Sequence, residues 1–177
     1  MPKVTLYIAA SLDGYIAQKD DGLDWLSLVE QPGQDYGYAE FYASVDCLVM
    51  GSSTFQLIRG FEPWPYPGKQ TFVMTAQKLK STRQDVAFLP ANVDIALARI
   101  DSQGFKSIWL VGGGALTSSF ARQVLIDEYI ISTIPILLGE GIPLFPPPGG
   151  VGQLELLNVQ HFPSGLVQSH YRRSTDV

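Results

Sequence analysis

Residues Ser107 to Thr117, read as Ser-Ile-Trp-Leu-Val-Gly-Gly-Gly-Ala-Leu-Thr, join an apolar run to three consecutive glycines and then to an amphipathic segment. The stretch reads as a strand, a bare backbone turn and the start of a helix. Lacking a Cβ, Gly112, Gly113 and Gly114 can take backbone angles closed to other residues and let a ligand approach the main chain. A helix that opens there presents free N–H groups and the positive end of its dipole, a seat suited to a phosphate. A tight strand-to-helix turn without a ligand fits the same residues, so the rest of the chain has to separate the two readings.

Strand-like and helix-like runs alternate along most of the sequence. The strands are expected at Lys3–Ala10, Cys47–Met50, Gln70–Thr75, Val86–Leu89, Ser107–Val111 and Glu128–Ile134. Several are apolar on both faces, as strands of a covered parallel sheet are. Helices are expected at Tyr36–Ser44, Ser53–Ile58, Asn92–Gln103 and Ala115–Leu125. Val93, Leu97 and Ile100 form one apolar stripe, and Leu116, Phe120 and Val124 form another. After Pro135 the alternation stops, and Gln153–Gln160 and Leu166–Arg173 flank a Phe-Pro-Ser-Gly turn with no helix between them. The pattern predicts one three-layer α/β/α domain whose mainly parallel sheet ends in an antiparallel hairpin.

With 177 residues, 46% of them hydrophobic and 16% charged, the chain has enough material for a sizeable core. A net charge of −5 and the absence of a Lys/Arg cluster argue against nucleic acid as a partner. No apolar run reaches membrane-spanning length and the start runs directly into a strand, so a cytoplasmic location away from any membrane is expected. Cys47 is the sole cysteine, which rules out a disulfide within the chain and a cysteine-based zinc site. No metal site is expected, and Cys47 reads as a buried, inert thiol.

A second glycine turn, Val49-Met50-Gly51-Ser52-Ser53-Thr54-Phe55, again follows a strand with hydroxyl residues able to cap a helix. If both helix starts face one crevice at the carboxyl ends of parallel strands, together they could hold the two phosphates of a dinucleotide. The Rossmann fingerprint is only partly matched by Gly112 to Thr117. It belongs to a first strand–helix unit with an acidic residue about twenty positions on. Here Ile131, Ser132 and Thr133 stand at that distance.

Five segments, in order, carry a family resemblance: Ala10-Ser11-Leu12-Asp13-Gly14-Tyr15-Ile16-Ala17, Met50 to Phe55, Val111 to Gly114, Ile126-Asp127-Glu128, and Pro135 to Phe145. Together they resemble the dihydrofolate reductase-like superfamily, in particular the reductase domain of the riboflavin-biosynthesis deaminase-reductase. The resemblance implies an NADPH-dependent reductase, a cis Gly112–Gly113 peptide and a homodimer. Ala10, Ile16 and Val111 would then line the nicotinamide, and Gly51, Ser53, Thr54, Gly112, Gly113, Gly114, Ala115 and Leu116 would surround the phosphates. Thr75 and Lys78, with Lys80, would approach the adenosine ribose and its extra phosphate. Ser52 and Ala115 stand where many relatives have basic residues, which leaves the choice between NADPH and NADH open. The apolar Ile130–Leu138 stretch fits a dimer interface and fits burial within the sheet equally well.

Reduction of an imine or a carbonyl also needs a proton, or a charge that steadies the protonated form. Asp35 falls, by its spacing from Gly51, where the resemblance places a substrate-binding carboxylate; Asp13 is the alternative. Both have structural readings, Asp35 as a helix cap and Asp13 as a turn residue before Gly14. Trp25, Tyr38 and Tyr42 are candidate walls for a flat substrate ring. Lys69 occupies the position expected to grip a folate tail, so a small metabolite other than folate is expected. The acceptor is a ribosylamino-pyrimidine, a pterin or a carbonyl compound; a non-catalytic nucleotide-binding module is the other class that keeps the glycine turns.

Overall fold

The computed structural model describes residues 1–174. Its strands are β1 (Lys3–Ser11), β2 (Tyr15–Ala17), β3 (Cys47–Gly51), β4 (Gln70–Met74), β5 (Val86–Leu89), β6 (Ser107–Gly112), β7 (Glu128–Ile134), β8 (Ile142–Pro143), β9 (Leu154–His161) and β10 (Val167–Arg173). The helices are α1 (Tyr38–Ser44), α2 (Ser52–Ile58), α3 (Val93–Ser102) and α4 (Gly114–Arg122), preceded by a 3-10 helix at Asp24–Val29. Eight strands form one sheet in the order β5-β4-β3-β6-β1-β7-β10-β9, while β2 and β8 pair separately. The first six strands of that order run parallel; β10 is antiparallel to both β7 and β9.

The sheet is covered because its strands present apolar side chains to both faces. On one face Val4, Leu6, Cys47, Val49 and Phe72 pack against Val93, Leu97 and Ile100 of α3 and Phe120 of α4. On the other, Met50 and Val73 meet Phe55 and Ile58 of α2, and Leu48 and Trp109 meet Phe41 of α1. The result is the dihydrofolate reductase-like three-layer arrangement. Cys47 is fully buried, and that burial pushes its thiol up to about 12, so it is inert at neutral pH.

Several boundaries move for local reasons. Strands β1, β3 and β6 each run one residue further than expected, ending at Ser11, Gly51 and Gly112. Helix α1 starts at Tyr38 rather than Tyr36, because Tyr36 and Gly37 both lie in the left-handed region at φ 55° and 80°. Helix α4 stops at Arg122: Val124 turns to φ 56°, and the Leu125 N–H reaches back to the Phe120 carbonyl at 3.0 Å. Val124 is therefore exposed instead of completing the stripe with Leu116 and Phe120. Strand β7 lies between β1 and β10 with both edges paired, and Ser132 and Ile134 are buried.

The Gly112–Gly113 peptide is trans; the cis bonds are Glu62–Pro63 and Pro147–Pro148. The chain makes its turn through positive φ at both glycines, 115° and 91°, instead of through the peptide bond. No helix among the described residues is long and apolar enough to cross a membrane.

Candidate active site

Strands β3 and β6 are neighbours, yet their onward connections diverge. From β3 the chain passes through α2 to β4, and from β6 it passes through α4 across β1 to β7. Their carboxyl ends therefore mark a topological switch point, where open α/β sheets form a ligand crevice. Both glycine turns sit there. Thr54 Oγ1, in the first turn of α2, donates to the Gly112 carbonyl at 3.5 Å. A Cβ on Gly51 would lie 3.9 Å from Leu116 Cβ, and one on Gly113 would lie 3.3 Å from Thr54 Oγ1. Gly51, Thr54, Gly112, Gly113 and Leu116 are thus brought together by the fold.

The three consecutive glycines have different reasons to be glycine. A Cβ on Gly112 would press on Ile8 Cδ1 at 3.0 Å, and one on Gly114 would strike the Pro143 carbonyl at 2.5 Å. Those two contacts are internal packing. Gly113 meets only the Thr54 hydroxyl, so its α-carbon is the part of the turn that faces the crevice between the helix starts. The first hydrogen bond of α4 runs from the Thr117 N–H to the Gly113 carbonyl, leaving the N–H groups ahead of it for an anion. Thr117 Oγ1 is buried beneath the turn without a partner.

The flanks are polar. Thr75 follows β4, beside the end of β3, and its Oγ1 accepts the Gln77 N–H at 2.9 Å. Gln77 in turn bonds Gln56 of α2 at 3.2 Å, fastening this turn to the helix. Lys78 and Lys80 are exposed beyond it and make no ion pair among the described residues. Ser53 and Ala115 are exposed in the first turns of α2 and α4. Ala10 and Ile16 lie with the α3/α4 side of the core, whereas Val111 borders the aromatic residues on the α1/α2 side.

The proposed substrate residues gather around the turn before α1. Asp35 accepts the Gly37 and Ala39 N–H groups, each at 3.0 Å, and those bonds, Ala39 first, hold its exposed carboxyl below the ordinary range. It is an anion at neutral pH and it caps α1. Next to it, the left-handed Tyr36 turns its carbonyl inward, where it accepts from Tyr7 Oη at 3.4 Å and Gln168 Nε2 at 3.2 Å. Tyr36 Oη donates to the Val29 carbonyl and lies 2.9 Å from Ser164 Oγ, tying this turn to the 3-10 helix and the hairpin. Burial, reinforced by the Asp35 charge, raises the Tyr7 phenol above its usual value.

Tyr38 and Tyr42 stack 5.6 Å apart on α1 and both pack edge-on to Trp109, within an aromatic cluster that includes Tyr7, Phe41 and Tyr66. Trp25 is buried with Val29, Ile134 and Leu166, its indole N–H unpaired. Asp13 is elsewhere: it accepts from Ser11 Oγ at 2.6 Å and from the Leu138 and Gly139 N–H groups at 3.1 and 2.7 Å. Those bonds, Ser11 first, hold it ionised and latch the β1–β2 turn to the loop after β7. Lys69 Nζ bonds the Val45 carbonyl at 2.5 Å and stands over the Tyr42 ring. Sequence reasoning assigned no role to Tyr7 or Gln168, because each belongs to a strand and meets the Tyr36 carbonyl only through the sheet and the turn before α1.

Comparison with known proteins places this α/β domain in a family. Residues 64–168 match the family described as the RibD C-terminal domain, and the chain belongs to that family. It is 38% identical to the uncharacterized protein YwjB of Bacillus subtilis over 173 residues, 97% of this chain and 98% of that one. It is 27% identical to the riboflavin biosynthesis protein RibD of Corynebacterium ammoniagenes over 155 residues, covering 80% of this chain but 45% of that protein. A crystal structure of a Shewanella sp. PV-4 protein named for riboflavin biosynthesis superposes with a TM-score of 0.89 at 32% identity, over 97% of this chain and 99% of the other.

Proposed function

We propose that this protein is a pyridine-nucleotide-dependent reductase that transfers a hydride to a small metabolite of the ribosylamino-pyrimidine, pterin or carbonyl type. The observation that carries the reading is the meeting of the α2 and α4 starts at the β3/β6 switch point, with the Gly113 α-carbon turned toward Thr54. The geometry fits a pyrophosphate: a side chain at Gly113 would fill the space, and backbone donors instead of basic side chains line it. Gly51, Thr54, Gly113 and the first N–H groups of α4 would hold the phosphates of NADPH. Lys78 and Lys80, charged and unpaired, would face its ribose phosphate as point charges and favour NADPH over NADH.

A bound NADPH would supply the hydride. This chain's own groups supply the rest. Asp35, held as an anion, steadies positive charge on a substrate nitrogen and does not donate a proton. The Tyr7 phenol, held protonated and close to Asp35, is the neutral donor. Membership of the RibD C-terminal family supports a pyrimidine as acceptor.

The locked cap geometry of Asp35 also favours the other class, a nucleotide-binding module that does no chemistry. Two measurements separate them: NADPH binding by nicotinamide fluorescence, and loss of NADPH absorbance against a panel of ribosylamino-pyrimidines, pterins and simple carbonyls. Binding with turnover of any panel member supports the reductase. Binding without turnover across the panel supports the module, and no binding overturns both.

A further inference from the structure

The topology sorts the 12 Lys and Arg residues of this chain. Lys3, Lys69 and Lys106 stand at or just before the starts of β1, β4 and β6, and Arg172 and Arg173 end the antiparallel β10 beside the first residue of β7. Arg59, Arg99 and Arg122 lie at the ends of α2, α3 and α4, which lead the chain back toward the amino ends of the strands that follow. These residues are all remote from the crevice at the carboxyl ends. Lys78 and Lys80 follow β4 on the cofactor side, and Arg83 is paired with Asp85 at 2.7 Å. Lys19 alone remains for the acceptor side, and Glu140 holds it at 2.5 Å.

Acids collect where the bases are missing. Residues 12–37 after β1 and 135–141 after β7 carry seven carboxylates against that one lysine, while the rest of the chain holds ten acids and eleven bases. The net charge of −5 therefore originates at this rim. Asp20, Asp21, Asp24, Glu30 and Asp35 are exposed there and make no ion pair among the described residues. Adjacent backbone N–H groups could still seat an anion, but the chain's own carboxylates fill both such places. Asp35 takes the Gly37 and Ala39 N–H groups, and Asp13 takes those of Leu138 and Gly139. The exposed side chains among them, Leu12, Leu28 and Leu137, have no donor to offer. The polar groove that runs from Tyr7 beside α1 reaches Lys3 and His170, yet Glu128 bonds both, at 2.8 and 3.1 Å, and Glu40 lines the groove as well.

We propose that the acceptor is an uncharged or cationic small molecule and that this site rejects phosphate esters, so that the two sides of the crevice sort their ligands by charge. The inference rests on the reductase reading above. A cleft lined by one sign of charge focuses its field, and like charges brought together suppress the wrong ligand. A phosphate monoester would bring about two negative charges to a rim with no free cation and with its N–H seats already filled. A neutral ring or a protonated amine meets no such opposition, and Asp35 attracts the amine.

Calorimetric titration of the protein saturated with oxidised cofactor tests the selection with matched probes: a ribosylamino-pyrimidine and its phosphate monoester, and glyceraldehyde and glyceraldehyde phosphate. At low ionic strength the phosphate-free member of a pair is expected to bind on the order of tenfold more tightly, and added salt should narrow the gap by screening the rim. The triple variant Asp20→Asn/Asp21→Asn/Asp24→Asn removes rim charge, and Asn tolerates the left-handed backbone of Asp21 at φ 64°. It should narrow the same gap several-fold with an unchanged melt. Equal or tighter binding of the phosphate ester, or a gap indifferent to both salt and variant, overturns the inference, as does binding of no probe from either pair. Should the variant fail to fold, the salt dependence of the wild type decides. Nicotinamide fluorescence keeps the two failures apart. NADPH binding with a preference for the phosphate ester removes the charge selection alone, whereas no NADPH binding removes the reductase reading itself.

Discussion

Thr54 Oγ1 lies 3.5 Å from the Gly112 carbonyl oxygen, joining the first turn of α2 to the end of β6 across 58 positions of sequence. Neither residue belongs to the other's strand–helix unit. The contact exists because parallel β3 and β6 lie side by side and their onward connections leave in opposite directions, which brings two glycine turns to one crevice.

Gly113→Ala tests that crevice. At φ 91° an added Cβ is strained by about 1–3 kcal/mol, and it would sit 3.3 Å from the Thr54 hydroxyl. The variant should fold with a lowered melting temperature and bind NADPH at least tenfold more weakly by fluorescence titration. Unchanged affinity in the folded variant would remove Gly113 from the cofactor seat.

Asp35→Asn keeps a good cap but removes the charge. Gly37 and Ala39 donate to different carboxylate oxygens, so the amide oxygen keeps only one of the two bonds, and stability should fall modestly. Turnover on an acceptor found in the panel should fall by a factor on the order of a hundred, with NADPH affinity intact. Full activity would return Asp35 to capping alone.

Tyr7→Phe removes the proposed donor and little else. The hydroxyl's bond to the Tyr36 carbonyl is long, and Gln168 still satisfies that carbonyl, so the stability loss should be at most about 1 kcal/mol. Slower turnover of at least tenfold with an unchanged melt is the expected outcome; wild-type kinetics would exclude Tyr7 from proton transfer.

Acid stability should depend on Glu128. Burial alone would raise its carboxyl, but Lys3 at 2.8 Å and His170 at 3.1 Å hold it below the ordinary glutamate range. A folded value below the unfolded one, about 4.3, stabilises the fold above that pH and stops doing so as pH falls through the folded value. Glu128→Gln should therefore melt below wild type at pH 7, and the gap should close as the solution is acidified below about pH 4. A gap that persists in acid would mean that packing, not charge, accounts for the difference.

Periodicity carried the fold a long way. Apolar runs of strand length, Gly51, and Gly112 to Gly114 marked β3, β6 and the helices after them, because these are consequences of side-chain placement within ten or fifteen residues. The same local logic located the β9–β10 hairpin at its Phe162–Gly165 turn, which the structure closes with a 2.9 Å bond from the Gly165 N–H to the Phe162 carbonyl.

Strand order is different in kind. Only the folded sheet puts β7 inside and β9 at the edge. The left-handed Tyr36, held by Tyr7, Gln168 and Ser164, and the sorting of Gly112 and Gly114 from Gly113 also arise from contacts across the chain. The sequence by itself determined which segments bury which faces, since burial follows the spacing of apolar residues. The tertiary structure decided which ends meet, because pairing energy depends on neighbours that the linear order does not name.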